Sequence, residues 1–302
     1  MMKLDGVAAF VWVAESGSIS EAARRLGLAK SVVSERLAEL ERSLGVTLMQ
    51  RTTRKLALTE DGDAFLPRAR RIVHEATEAA AELSERRGTL SGPLRLAGPV
   101  GFGVLHLGPA IYSFLAAHPA IDLTLDLDDR FVDIASDGYD AVIRHGPIRD
   151  SRLIAKRLGA SRRILVASPA FLEAHGTPAC VADLEQCCAI LYTNRNTDWR
   201  FRDGEKEIVV RPRAALRVNN GIVMRDAAIA GLGITLLPAF FAHQAVTAGA
   251  LRRVDVGAEA EGAELHIAYP ANRNSSAKII ALTAWLRQCF GAPPYWELPA
   301  AL

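Results

Sequence analysis

Four cysteines in 302 residues, at positions 180, 187, 188 and 289, are too few and too irregularly spaced for a disulfide framework. None forms the C-x-x-C pair of a zinc site, and the seven histidines are scattered singly without ligand spacing, so no metal is expected. Reduced thiols in a reducing compartment are the simplest reading. An excess of one charge sign is missing too: 36 Lys and Arg stand against 34 Asp and Glu, for a net charge of +2. Bulk charge therefore argues neither for nor against a nucleic-acid partner, and only the placement of charges can decide. The apolar run at residues 7–14, between Asp5 and Glu15, is too short to span a bilayer and lacks a cleavage pattern. No membrane or secretion address is expected, and the protein is placed in the cytoplasm. The signatures of α/β enzymes are likewise absent. There is no G-x-S-x-G elbow, no G-x-x-x-x-G-K-S/T phosphate loop and no H-E-x-x-H, and the nearest approach to G-x-G-x-x-G, GPVGFG, has the wrong glycine spacing. An enzyme acting on small molecules is the weaker reading, and no cofactor is expected. No fixed-period repeat or low-complexity segment is visible.

What is present is an ordered series of elements. A chain this long exceeds one ordinary core and predicts two or three domains. Half of it is hydrophobic and 23% charged, a soluble globular composition. Leu4, Val7, Ala8, Val11 and Trp12 share one helical face. Ser18 or Ser20 then caps a short second helix that stops at Gly27. A third helix, residues 30–44, carries Val33, Leu37, Leu40 and Leu44 at helical spacing and ends at Gly45. Two short helices about a tight turn form a helix-turn-helix pattern. Residues 24–55 hold eight basic side chains against three acidic ones, a basic patch that the whole-chain balance hides. LMQRTTRKLALTEDG follows, with polar residues 51–54 between two short apolar arms, as in a hairpin or wing. Thr59 caps a long Ala-rich helix to about residue 87, whose stripe of Phe65, Ile72, Ala76, Ala79 and Leu83 asks for a partner helix and suggests dimerisation. Gly, Thr, Ser and Pro cluster at residues 88–93, a boundary. Beyond it, strands and helices alternate, predicting an α/β fold with mostly parallel strands and a hairpin centred on Asp203-Gly204.

The stretch AFVWVAESGSISEAARRLGLAKSVVSERLAELERSLGVTLMQRTTRKLALTEDG resembles the LysR-type transcriptional regulators, with "ESGS", "AARRL" and "S…LE..LG..L..R..R…LT..G" in order. LRLAGPVGFG, YDAVIRHGPIRDSRL and VNNGIVMRDAAIAGLGITLLP are similar to landmarks of that family's effector domain. The resemblance spans essentially the whole chain. It implies an all-α winged helix-turn-helix N-terminal domain at residues 1–58, a linker and dimerisation helix at 59–88, and an effector domain at 89–302. That last domain would be a C-terminal α/β two-lobed, periplasmic-binding-protein-like unit. Its lobe one would be about 92–162 and 268–295, its lobe two about 163–267. The implied partners are double-stranded promoter DNA, a small organic effector between the lobes, and a second copy of the chain in a homodimer or homotetramer. RNA polymerase is a further candidate.

Lys30, Ser31, Ser34 and Glu35 lie on the polar side of the third helix, whose N-terminal residues, as the resemblance implies, would face base edges in the major groove. The family more often has Ser at the position of Ala29 and a basic residue at that of Glu35. Arg51, Thr52, Thr53 and Arg54 on the wing suit phosphate or minor-groove contacts. Ser18 and Arg25 are further DNA-side candidates. Each of these also has a plain reading as a solvated surface group. In the effector domain, open α/β folds bind ligands at strand ends and helix starts. Pro99, Val100, Gly101 and Phe102 open a helix whose amides would cradle an anion. Many relatives carry Ser or Thr at the position of Gly101. Arg144 and His145 end a strand, and Thr193 and Asn194 end another. Asn219 and Asn220 precede the helix at Gly221 and either cap it or face the cleft. The first, second and last of these junctions are expected to converge, and an aromatic or short-chain acid is the expected ligand. Redox sensing through Cys187 and Cys188 is the alternative. Adjacent cysteines rarely bridge, and no basic residue stands beside them in sequence to lower a thiol pKa.

Overall fold

A computed structural model describes residues 2–51, 56–85, 90–129, 134–148, 150–194, 197–271 and 276–297, with the side chains of residues 51, 78, 80–85, 135 and 136 left out. Three helices open the chain: α1 (Leu4–Ser16), α2 (Ile19–Leu26) and α3 (Lys30–Leu44). Each ends on a left-handed glycine, Gly17, Gly27 or Gly45, as residues lacking a Cβ allow. Val7, Phe10, Val33 and Leu40, each under 3% exposed, close their common core. The wing strands β1 (Met49–Arg51) and β2 (Leu56–Leu58) pair antiparallel. Their placement depends on Glu41 of α3, whose Oε1 accepts the amides of Leu48 (2.7 Å) and Met49 (3.1 Å).

Thr59 caps the long helix α4 (Glu60–Glu85), accepting the Gly62 amide at 3.0 Å while donating to the Thr47 carbonyl at 2.7 Å. Gly62 is required there, because a Cβ would sit under 3.0 Å from the Leu48 carbonyl oxygen. The first half of the α4 stripe is not free for another copy. Phe65 meets Phe10 at a centroid distance of 5.7 Å, and Ala69 and Ile72 join the same core, so α1 of the same chain is the partner helix. Farther along, His74 reaches the effector domain: its Nε2 lies 2.7 Å from Oδ1 of buried Asp140, whose Oδ2 accepts the Arg95 amide at 2.8 Å.

The chain then runs through β3 (Gly92–Gly98), α5 (Val100–Phe102), a π-helical turn (Gly103–Leu107), α6 (Gly108–Ala117), β4 (Ile121–Leu127), α7 (Ile134–Asp137), β5 (Ala141–His145), β6 (Leu153–Ser161) and β7 (Arg163–Ala167). It continues with α8 (Pro169–His175), β8 (Cys188–Tyr192), β9 (Trp199–Asp203), β10 (Lys206–Val210), β11 (Arg213–Val218), α9 (Gly221–Ile229), β12 (Ile234–Pro238), α10 (Ala239–Thr247), β13 (Arg252–Val254), β14 (Glu259–Ala260), β15 (Ala263–Pro270) and α11 (Ala277–Phe290). One five-stranded sheet has the order β4-β3-β5-β15-β6 and the other β11-β8-β12-β7-β13, while β10, β9 and β14 make a small third sheet. Helix α5, the π turn and α6 form one apolar rod because Phe102, Leu107, Ile111 and Phe114 are all core residues.

Two expectations need correction. In each large sheet the pairings of β3 with β4 and β5, and of β8 with β11 and β12, are parallel, but β15 pairs antiparallel with β5 and β6, and β7 with β12 and β13. The chain passes from the first large sheet to the second and back, and on each passage the entering strand, β7 or β15, runs against its neighbours. The return to the first sheet comes at Ala263, not at residue 268, because the whole of β15 is hydrogen-bonded there. Strand β6 and helix α10 were not anticipated by the sequence pattern.

Candidate DNA-binding surface and interlobe site

Lys30, Ser31, Ser34 and Glu35 are all exposed on α3, and their side chains form no hydrogen bond or ion pair among the described residues. Val33 and Leu37 turn inward, as their spacing requires. The helix has no side-chain N-cap, since Ala29 occupies that position. Two further candidates have structural work instead. Ser18 accepts the Glu21 amide as the N-cap of α2. Arg25 lies 5.0 Å over the Trp12 ring and 3.9 Å from Glu21, which also pairs with Arg24. Arg36 reaches Asp5 at 3.0 Å. Thr52, Thr53 and Arg54 lie outside the described residues, as does the side chain of Arg51.

In the effector domain, three strand ends, two of them leading into helices and the third, at His145, into strand β6, meet on two rings that the sequence reading missed, Phe240 and Phe241 of α10. Phe102 packs edge-on against Phe240 at 5.2 Å, and His145 stacks on Phe240 at 4.7 Å and 14°. Gly101 and Gly221, one from each lobe, both lie against the ring of Phe241, so that a Cβ at either position would come under 3.0 Å from it. Phe240 and Phe241 lie 4.3 Å apart. The signal for them was available: Phe240 and Phe241 follow the strand GITLLP, at a strand-to-helix junction like those at Gly101 and Gly221.

Several of the polar candidates are already engaged. The Val100 amide, at the N-terminus of α5, donates to Asp129 at 3.0 Å, so a carboxylate of the protein occupies the expected anion cradle. Pro99 stands at the N-cap position without a side-chain cap. Asn220 accepts the amides of Ile222 (2.9 Å) and Val223 (3.2 Å), which makes it the cap of α9. Thr193 and Asn194 are exposed; the Thr193 amide donates to Val218, and Asn194 Nδ2 to the Asn219 carbonyl at 3.4 Å, which joins that junction to the third. Register places Arg144 opposite His266 and His145 opposite Leu265, so the two side chains leave opposite faces of β5. Burial lowers the Arg144 pKa.

Beside the aromatic pair, His106 is 2% exposed and bridges the lobes. Its Nε2 lies 2.9 Å from the Phe240 carbonyl and its Nδ1 2.6 Å from the Tyr295 hydroxyl. A carbonyl can only accept, so Nε2 carries the proton and Nδ1 accepts from Tyr295. Burial in this ring cluster pushes the His106 pKa down to about 4. The thiols differ from expectation in one respect: β8 and β11 bring Arg213 Nη2 within 3.0 Å of Cys188 Sγ, a basic neighbour that only strand pairing supplies. Cys187 donates to the Asp183 carbonyl at 3.4 Å, and burial raises its pKa.

This architecture has close relatives. Residues 4–63 match the bacterial regulatory helix-turn-helix protein, lysR family, and residues 87–291 match the LysR substrate binding domain. The chain belongs to the LysR-type transcriptional regulators. The regulator PtxR of Pseudomonas aeruginosa is 31% identical over 298 residues, covering 97% of this chain and 95% of PtxR. DmlR of Escherichia coli is 31% identical over 290 residues, covering 95% and 94% of the two chains. Among solved structures, the full-length Vibrio cholerae virulence activator AphB is 27% identical with a TM-score of 0.57, covering 94% of this chain and 98% of that one. CrgA of Neisseria meningitidis is 28% identical with a TM-score of 0.57, covering 94% and 96%. This LysR-type chain therefore combines a helix-turn-helix DNA-binding domain with an effector-binding substrate domain, in a family of transcription regulators and not of enzymes.

Proposed function

We propose that this LysR-type regulator reads promoter DNA through Lys30, Ser31, Ser34 and Glu35, and that a small organic molecule seated between its lobes modulates the outcome. The observation that carries the DNA half is the exposed, unengaged face of α3 above a closed hydrophobic core. Lys30 donates to guanine O6 or N7, Ser34 to base or phosphate, and Glu35 accepts from cytosine N4. Arg51 and Arg54, with Thr52 and Thr53, hold the phosphate backbone and fix register. The protein acts in the cytoplasm as a homodimer or tetramer, and RNA polymerase is the downstream partner.

The interlobe half is supported by the meeting of Gly101, Phe102, His145 and Gly221 around one aromatic pair. An effector there shifts the lobe arrangement only by binding one arrangement better than the other. The aromatic part of the expected ligand suits this lining; the acid part does not, because Asp129 already holds the Val100 amide. Binding assays on operator and random duplexes across a salt series test the DNA reading. Lys30→Ala should lose about 1–3 kcal/mol of base discrimination. Arg51→Ala or Arg54→Ala should weaken all duplexes alike and reduce the log–log salt slope by about 1. Wild-type behaviour in all three variants refutes the docking.

A further inference from the structure

Glycine is explained at most turns of this chain by a left-handed backbone, but not at Gly101 or Gly221, whose φ angles are not positive. What both share is Phe241. Gly101 lies against the Cε1–Cζ edge of its ring and Gly221 against the Cε2–Cζ side. A methyl group at either position would collide with the phenyl tip at under 3.0 Å. The ring comes from α10, Gly101 from the first lobe and Gly221 from the start of α9 in the second. A half-buried phenyl group is thus inserted between the lobes, in a slot whose two walls are bare backbone and whose floor is the Phe240 ring with His145 stacked beside it. The helix-start amides at the rim are taken: that of Val100 by Asp129, the first amides of α9 by Asn220. A second carboxylate entering beside Asp129 would meet a like charge.

We propose that the slot between Gly101 and Gly221 is a binding site for a neutral, flat aromatic ring, that Phe241 occupies it as an internal stand-in, and that an effector binds by taking the ring's place. This rests on the interlobe reading above and adds the ligand's class and the residue that selects it. A slot shaped by a phenyl group against two glycines accepts another flat ring and excludes a thicker, puckered one. Competition with Phe241 lowers the apparent affinity by the fraction of molecules in which the slot is open, so removing the ring must raise it. An apolar cavity left by a deleted side chain stays dry and takes up a matching ring.

Calorimetric titration of the full-length protein with phenol, cyclohexanol and benzoate tests this in wild type and Phe241→Ala. Phenol is expected to bind the variant at least about tenfold more tightly than wild type, with smaller gains for puckered cyclohexanol and anionic benzoate. Equal phenol affinities overturn the proposal, as does a cyclohexanol or benzoate gain matching that of phenol. Phe241→Leu, which keeps an apolar filling without a flat ring, is the second variant should Phe241→Ala not fold, with the same order of probes expected. The ring's position has its own check: Gly101→Ala should lower the melting temperature in wild type and not in Phe241→Ala, and equal losses in both backgrounds overturn it. Tight phenol binding by the variant with no change in operator affinity leaves the slot standing and sinks the effector reading. No phenol gain, with another metabolite altering operator affinity from between the lobes, does the reverse.

Discussion

Acidification should destabilise the effector domain in good part through His106, with His243, whose pKa burial also lowers, acting in the same direction. The His106 ring is 2% exposed among Phe102, Phe240, Tyr295 and Trp296, and both its nitrogens are used in the neutral form. Protonation adds a hydrogen to Nδ1, which Tyr295 accommodates by turning its hydroxyl from donor to acceptor. The cost is therefore chiefly the desolvation of the charge, with nearby His243 adding to it. The folded value of about 4 lies below the ordinary 6.5. Between those limits the unfolded chain binds more protons than the folded one, so stability is complete above pH 6.5 and falls as pH drops toward 4. The gap amounts to about 3 kcal/mol at full protonation. Urea unfolding followed by tryptophan fluorescence measures it, with Trp296 5.0 Å from the His106 ring. His106→Gln keeps an amide donor for Phe240 but does not titrate, so its stability should vary less across this pH window by about that amount. Parallel pH profiles for wild type and His106→Gln would refute the reasoning.

Three other outcomes are expected. Gly62→Ala forces a methyl group into the Leu48 carbonyl and should cost the DNA-binding domain about 1–3 kcal/mol, read from chemical unfolding followed at Trp12. His74→Ala removes the bond from α4 to buried Asp140 while the Arg95 amide still holds that carboxylate; hydrogen exchange in the α4 amides around residue 74 should accelerate in line with about 2 kcal/mol, and unchanged exchange would show that the contact ties nothing down. Replacing all four cysteines with serine should leave operator binding after peroxide treatment as in wild type, whereas a wild-type peroxide response that disappears in the variant would establish the Cys188–Arg213 pair as a sensor.

Local signals are strong where an element's own residues decide its form. Helix α3 begins at Lys30 and ends at Gly45 because its apolar period and left-handed glycine stop are both written in consecutive residues, and Val33 and Leu37 face inward for the same reason. The caps at Thr59 and Ser18 and the junctions at Gly101, His145 and Gly221 were legible on the same grounds. What the sequence could not decide is what lies opposite. The α4 stripe has the period of a dimer seam, yet its first turns are covered by α1, since periodicity names a buried face and not its cover. The thiol of Cys188 gains its arginine only through β8–β11 pairing, and β15 joins its sheet across a hundred residues of intervening chain. Sequence also marked Gly101 by the hydroxyl it lacks; tertiary packing supplied the physical reason, because the space is filled by a ring from α10, 140 residues farther along the chain.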